Sequence, residues 1–277
     1  MESLNLLENP RILIAYTTSN QEPFRSLEQR GALATWTKHF PAGCQIVSIQ
    51  AQESSNFSIL HSCSIAFEKL RWGKSGRFAT ILTRILGKPI SLYRPKSELV
   101  DSSLILSIPE GLTFLGFKLL GSIDLMLQKD FDFLIYTNLS SYINAFRISE
   151  ILVSVDPDLD FYAGKKLPSE VNAGISGSFI VLSRQTCKRV RDNYFRWNHA
   201  YLDDIALMRL MKKIKVMPTF LQSLEIRSNV EVRSIQREEL LKYPHLKCGP
   251  QLSGSQRIDF LAMELLDEVL FPTSRNS

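Results

Sequence analysis

Short apolar runs alternate with stretches of helical periodicity along this chain of 277 residues. Unbroken apolar runs bounded by turn residues predict buried strands. The first is Arg11–Thr17, which enters a polar turn over Thr18–Glu22. Cys44–Ile49, Leu104–Ile108, Phe133–Thr137, Phe161–Gly164 and Ser178–Leu182 repeat the pattern. Between them the spacing predicts helices over Arg25–His39, stopped by Pro41 and Gly43, and over Leu112–Gln128. A turn at Asn138–Ser141 leads into a helix over Ser141–Val153. Ser183 is the expected cap of a helix running to about Trp197, and Leu202-Asp203-Asp204 opens another through Lys212. At the C-terminal end Ile258, Leu261, Ala262, Leu265, Leu266 and Val269 fall at i, i+3, i+4, i+7, i+8 and i+11, one apolar face. If its Leu265/Leu266 side were exposed, it would favour a dimer.

Strands separated by helices predict an α/β fold with a mixed, mostly parallel sheet flanked by helices. One domain is expected, with a core over about 11–220 and a helical extension over about 235–277. Ligands on such sheets bind beyond the carboxyl ends of strands. Two polar segments fall at such ends: Thr137–Ser141 and Asp203-Asp204.

Composition narrows the class. A hydrophobic content of 44% is ample for a core. Cys44, Cys63, Cys187 and Cys248 form no CxxC pair and read as scattered reduced thiols. The first ten residues lack a basic region followed by an apolar core, so a cytoplasmic chain is expected. The richest apolar stretch, Leu104–Leu127, is interrupted by Pro109, Glu110, Lys118 and Asp124, short of the roughly 20 residues of a membrane span. The net charge of +5 is concentrated. Lys69, Arg71, Lys74, Arg77, Arg84, Lys88, Arg94 and Lys96 form a run without acids, which suits a solvated face, nucleotide phosphate or peripheral contact with the inner face of an anionic membrane. Phe67, Trp72, Phe78 and Tyr93 interleave with it, but no nucleic-acid-binding motif accompanies them, and no nucleic acid partner is expected. Walker, GxSxG, HExxH and GxGxxG signatures are absent.

Several blocks follow one another in a recognisable order. They are Arg30-Gly-Ala-Leu-Ala-Thr-Trp36, Leu115-Gly-Phe-Lys118, Phe131 to Asn144, Phe161-Tyr-Ala-Gly164 followed by Gly174 to Arg184, and Tyr201-Leu-Asp-Asp-Ile-Ala-Leu207. Over about residues 11–220 they resemble the Fringe and β-1,3-galactosyltransferase-like glycosyltransferases, in a bacterial or viral-like version without anchor or disulfides. The resemblance implies a GT-A-like (Rossmann-like) fold and a place in polysaccharide biosynthesis. The implied reaction moves a sugar from a nucleotide sugar, UDP-linked, to a glycan or lipid-linked acceptor, with inversion.

Residue by residue, the resemblance makes Asp204 the catalytic base and Asp203 its support. A carboxylate at a helix start is favoured in its ionised form, although an aspartate there is also an ordinary helix cap. Tyr16, Thr17, Thr18, Arg30, Lys118, Thr137, Asn138 and Ser140 are the expected donor-binding residues, with strand-end packing the alternative for the first three. Gly174, Ser176, Gly177 and Tyr201 are expected on the acceptor and sugar side. Trp72 and Trp197 are further stacking candidates. His61, His199 and His245 show no metal spacing.

The sequence departs from the family at its Asp-x-Asp motif. Thr137, Asn138 and Leu139 stand where the acids would be, while Ile143 and Asn144 keep the close of the pattern. Asn138 offers one neutral oxygen, a weak ligand for Mn²⁺ or Mg²⁺. Three outcomes follow: a divalent cation held mostly through the diphosphate, a Lys or Arg in its place, or loss of transfer, leaving a catalytically inactive binding module. The first two are the expectation.

Overall fold

The computed structural model describes residues 10–52, 95–167, 174–199, 201–253 and 256–272. His61, Cys63, Trp72 and the basic run from Lys69 to Arg94 lie outside them; of that run Lys96 alone is described.

Among the described residues eight strands form the main sheet, in the order β3-β4-β2-β1-β5-β8-β7-β9. They are β1 (Ile12–Thr17), β2 (Cys44–Ala51), β3 (Ser97–Val100), β4 (Ser103–Leu106), β5 (Phe133–Asn138), β7 (Tyr162–Lys166), β8 (Ile175–Ser183) and β9 (Pro218–Phe220). β4, β2, β1 and β5 run parallel, as do β7 and β9; β3 and β8 run against their neighbours. The sheet is therefore mixed and mostly parallel, as expected. A smaller sheet, β10-β11-β6, joins β6 (Ser141–Ile143), β10 (Ser223–Ile226) and β11 (His245–Cys248). β12 (Leu252–Ser253) and β13 (Gln256–Arg257) make a short ribbon.

Helices cover both faces. They are α1 (Leu115–Gln128), α2 (Ala145–Val153), α3 (Arg184–Asp192), α4 (Asp203–Lys213), α5 (Asn229–Ser234), α6 (Arg237–Leu240) and α7 (Asp259–Leu270). Alternation along the strands splits the core in two. Leu13, Ala15, Leu134 and Tyr136 face α1, α3 and α4, whereas Ile12, Ile14, Phe133 and Ile135 face α7 and the segment 24–39. Both sets are buried, which explains why β1 and β5 read as continuous apolar runs. None of the described helices is long and apolar enough to cross a membrane.

Three expectations are corrected. The helix over Ser141–Val153 begins only at Ala145, capped by Asn144, whose side chain accepts the Arg147 N–H. Ser141–Ile143 is a strand instead, because it pairs with β11, which lies about a hundred residues further on and contributes nothing to local periodicity. The helix over Arg25–His39 breaks into an α turn (Phe24–Ser26), a π-helix (Leu27–Ala32) and a 3₁₀ turn (Trp36–His39). Gly31 in the π-helix lies tightly against Met263 of α7, where a Cβ would stand 3.0 Å from the sulfur. The strand expected over Ser178–Leu182 begins earlier, at Ile175, so Gly177 lies within it. The Leu265/Leu266 face is not free: Leu266 is fully buried and Leu265 packs on the same core, so α7 spends its apolar side inside the chain.

Gly164 marks the tightest approach in the sheet. Its φ is 147°, and a Cβ there would lie 2.0 Å from the Phe179 carbonyl oxygen. Gly164→Ala is therefore expected to destabilise the protein by about 3 kcal/mol, from strain and overpacking together. Urea midpoints of the two proteins check this, and equal midpoints would contradict the packing described.

Candidate active site

β1 has β2 on one side and β5 on the other, so the chain diverges from its carboxyl end in both directions. That divergence leaves a crevice, the usual ligand position on such sheets. A cavity of about 490 Å³ opens there. Thr17, Tyr136 and Asn138 reach it from β1 and β5, and Ser176, Gly177 and Ser178 from β8. Leu202, Asp203 and Asp204 enter from the head of α4, and Lys165, Glu225, Arg227 and Lys247 from β7 and the small sheet.

The acids sit on one wall. Leu202 occupies the cap position of α4 without a side-chain hydrogen bond, and the two aspartates form the first turn. Asp204 is half-buried and accepts the Gly177 N–H at 3.1 Å and the Ile205 N–H at 2.7 Å. Asp203 is 6% exposed and accepts a hydrogen bond from the Tyr136 hydroxyl. Its carboxylate lies against Gly177, where a Cβ would stand 3.3 Å from either oxygen. Burial, and then the charge of Asp204, pushes the Asp203 carboxyl up to about 6.

The wall from β7 and the small sheet carries Lys165, Arg227 and Lys247 beside Glu225. Asn138 Oδ1 accepts from Lys247 Nζ at 2.8 Å, Ser141 Oγ at 3.0 Å and Ser140 N–H at 3.2 Å. Burial brings the Lys247 ammonium down to about 8. Arg257 donates to Ser140 Oγ at 2.6 Å and pairs with the buried Asp259. Lys165 pairs with Glu225 at 2.6 Å. This donor set does not fit a divalent cation at Asn138: the amide oxygen already accepts three donors, one of them an ammonium.

The remaining sequence candidates divide by position. Thr137 lies under the cavity floor, its hydroxyl donating to Ser178 O at 2.7 Å. The Tyr16 and Thr18 hydroxyls are buried and donate to Glu28 at 2.9 and 3.2 Å. Lys118, 2% exposed, donates to Thr18 O and pairs with Glu110, both at 3.0 Å. Burial lowers its ammonium pKa, and Glu110 opposes that shift. Arg30 points to the far side of the molecule, over the Phe260 ring and toward Glu264 of α7. Gly174 abuts Met208 and Leu167, and Tyr201 lies under the Arg209 guanidinium.

Trp197 and His199 are core residues, His199 stacked on Phe117. His245 is buried between Ser223 (2.6 Å) and Ser141 (3.0 Å), and burial holds its imidazole neutral. Cys44, Cys187 and Cys248 are free thiols. Among the described residues no cluster of three His, Cys, Asp or Glu side chains is placed to hold a metal.

Lys247, Arg227, Lys165 and Glu225 escaped the sequence reading. The one available signal was a lysine between apolar neighbours in His245-Leu-Lys-Cys248.

No family model and no curated protein matches this chain. Among solved structures it is similar to the apo form of the glycosyltransferase GlyE of Streptococcus pneumoniae TIGR4, at 9% identity over 93% of this chain, with a TM-score of 0.46. It is similar to the mannosyltransferase PcManGT of Pyrobaculum calidifontis, in complex with GDP-Man and Mn²⁺, at 10% identity over 76% of the chain and a TM-score of 0.42. Mouse xyloside xylosyltransferase 1, apo form, is similar at 11% identity over 88% of the chain, and 99% of that chain is covered, with a TM-score of 0.39. The chain spans 60% and 55% of the first two. Likenesses this slight assign neither family nor activity.

The burial of Asp203 has a thermodynamic signature. Its folded carboxyl keeps a proton to about pH 6, whereas an unfolded aspartate releases it near 3.9. The folded state therefore binds more protons across that window, and stability falls as pH rises through it. Asp203→Asn cannot ionise. It is expected to be more stable than the parent at pH 7.5 by about 2 kcal/mol, with the gap closing near pH 4. Denaturant midpoints at the two pH values measure this; an equal offset at both would contradict it.

Proposed function

We propose that this protein is a glycosyltransferase that moves a sugar from a nucleotide-sugar donor to the hydroxyl of an acceptor, with inversion at the anomeric carbon. The observation that carries the reading is the Asp203–Asp204 pair. It projects into the cavity at the carboxyl ends of β1 and β5, where sheets of this kind hold nucleotides. The blocks that resemble the Fringe-like enzymes support a UDP-linked donor and a glycan or lipid-linked acceptor.

Transfer of this kind needs an oriented base beside the acceptor hydroxyl. Asp204 has the reach: it lines the cavity, and two backbone N–H groups fix its carboxylate. It is the proposed base. Asp203 is a positioning residue behind it. Once Asp203 is ionised, its negative charge favours the arrival of a proton in the cavity beside it. Ser176 and the backbone at Gly177 form the adjacent floor, where the missing side chain lets the Asp203 carboxylate lie against the backbone. Thr17 and Asn138 border the donor side. No step runs through a metal held by the protein.

Three expectations test the reading. A nucleotide sugar of one class, at about 100 times its dissociation constant, adds about 2.7 kcal/mol to stability, visible as a raised melting temperature. Asp204→Asn keeps that shift but loses turnover by about 10² to 10⁴. Turnover in the parent rises with pH through about 6, the value at which Asp203 ionises, and Asp203→Asn removes that limb. If no nucleotide sugar changes the melting temperature, the transferase reading falls and a fold without this activity remains.

A further inference from the structure

We propose that Lys247 is the cation that receives the leaving diphosphate, standing at the end of β5 in place of a protein-bound metal. This deepens the transferase reading and rests on it.

Lys247 lines the cavity, with its ammonium 2.8 Å from Asn138 Oδ1 at the carboxyl end of β5. Asp203 and Asp204 line the same cavity from the head of α4, so a donor bound there meets both carboxylate and ammonium. Lys165 pairs with Glu225, and Arg257 with Asp259. Among the described residues no carboxylate pairs with Lys247, and its hydrogen-bond partner is a neutral amide. Glu225 and Asp259 act on this ammonium from beyond ion-pair distance, so an arriving anion adds the charged partner it lacks at contact. Burial, and then Lys165 and Arg257, draw its pKa down to about 8 against Cys248 and Asp259.

β11 is held between β6 and β10, with Lys247 opposite Ser141 on one side and Glu225 on the other. Its target oxygen is fixed in turn by Ser140 and Ser141. The ammonium is therefore aimed before any ligand arrives, which is the condition for effective electrostatic stabilisation.

A bond forms between the acceptor oxygen and the anomeric carbon, and the bond from that carbon to the diphosphate oxygen breaks. The electron pair stays with the diphosphate, and the hydroxyl proton goes to Asp204. Negative charge grows on the phosphate oxygen, where Lys247 offers N–H donors and a full positive charge. Arg227, exposed on the rim, is free to follow the outer phosphate.

Calorimetric titration in the presence of EDTA tests this. The probes are UDP, GDP, ADP and dTDP, then the matching monophosphate and nucleoside of the tightest binder, and inorganic pyrophosphate. The proteins are the parent, Lys247→Met and Lys247→Arg. The parent should bind one diphosphate equally well with and without EDTA, and less well above about pH 8. Lys247→Met should lose roughly tenfold to a hundredfold for the diphosphate and nothing for the nucleoside, whose retained binding reports a folded site. Lys247→Arg should recover part of the loss. Pyrophosphate competing in the parent, and not in Lys247→Met, would assign the contact to the phosphates. Loss of diphosphate binding in EDTA, or unchanged affinity in Lys247→Met, would overturn the role of Lys247 while leaving the transferase reading intact. Failure of every nucleotide to bind the parent would remove both.

Discussion

The side-chain oxygen of Asn138 is where the two sheets and the cavity meet. It accepts from Lys247 of β11, from Ser141 of β6 and from the backbone of Ser140 in the turn between β5 and β6. Thr137 donates its hydroxyl to Ser178 O, fastening the end of β5 to β8, and Ser141 Oγ lies 3.0 Å from both Ser178 O and Asn138 Oδ1, its single proton shared between them. Each such bond contributes about 1 kcal/mol net, but a half-satisfied network in a buried place costs more than its absence. The polar sequence at 137–141 is thus a structural requirement. An aspartate at 138 would add a charge beside Lys247 and change the character of the cavity altogether.

From that junction the rest of the architecture follows. β5 lies between a parallel neighbour and an antiparallel one, so its carboxyl end meets the amino end of β8. Gly177 and Ser178 are thereby brought beside Asn138, and α4 lays its first turn over Gly177. The acids and the lysine share a cavity because the sheet changes direction at this strand. Holding Asp203 there works against stability at neutral pH, since its carboxyl ionises in a place that disfavours charge. Active sites commonly carry such a cost.

The sequence was most legible where structure is local. β1, β5 and β8 announced themselves as apolar runs, and α1 and α7 as periodic stretches, because burial on a strand or a helix face leaves its own spacing. β6 was misread as helix because its partner is a distant strand. Lys247 was missed for the same reason: its meaning comes from Asn138, 109 residues earlier. The positions of Arg30, Tyr16 and Thr18 were equally beyond periodicity. A short polar turn after a strand looks alike whether its hydroxyls meet a ligand or Glu28.

The pairing of β6 with β11 also carries a consequence for synthesis. β6 leaves the ribosome about a hundred residues before the strand that will cover it. Until residue 248 has emerged, Tyr142 and Ile143 lack their main partner, and the cavity wall that carries Lys247 does not exist. Contacts so far apart in sequence close late and slowly. The nascent chain therefore completes its parallel strands before this wall of the cavity, and α7 follows. The interval between them is the one in which an unfinished copy exposes a bare strand edge to its neighbours.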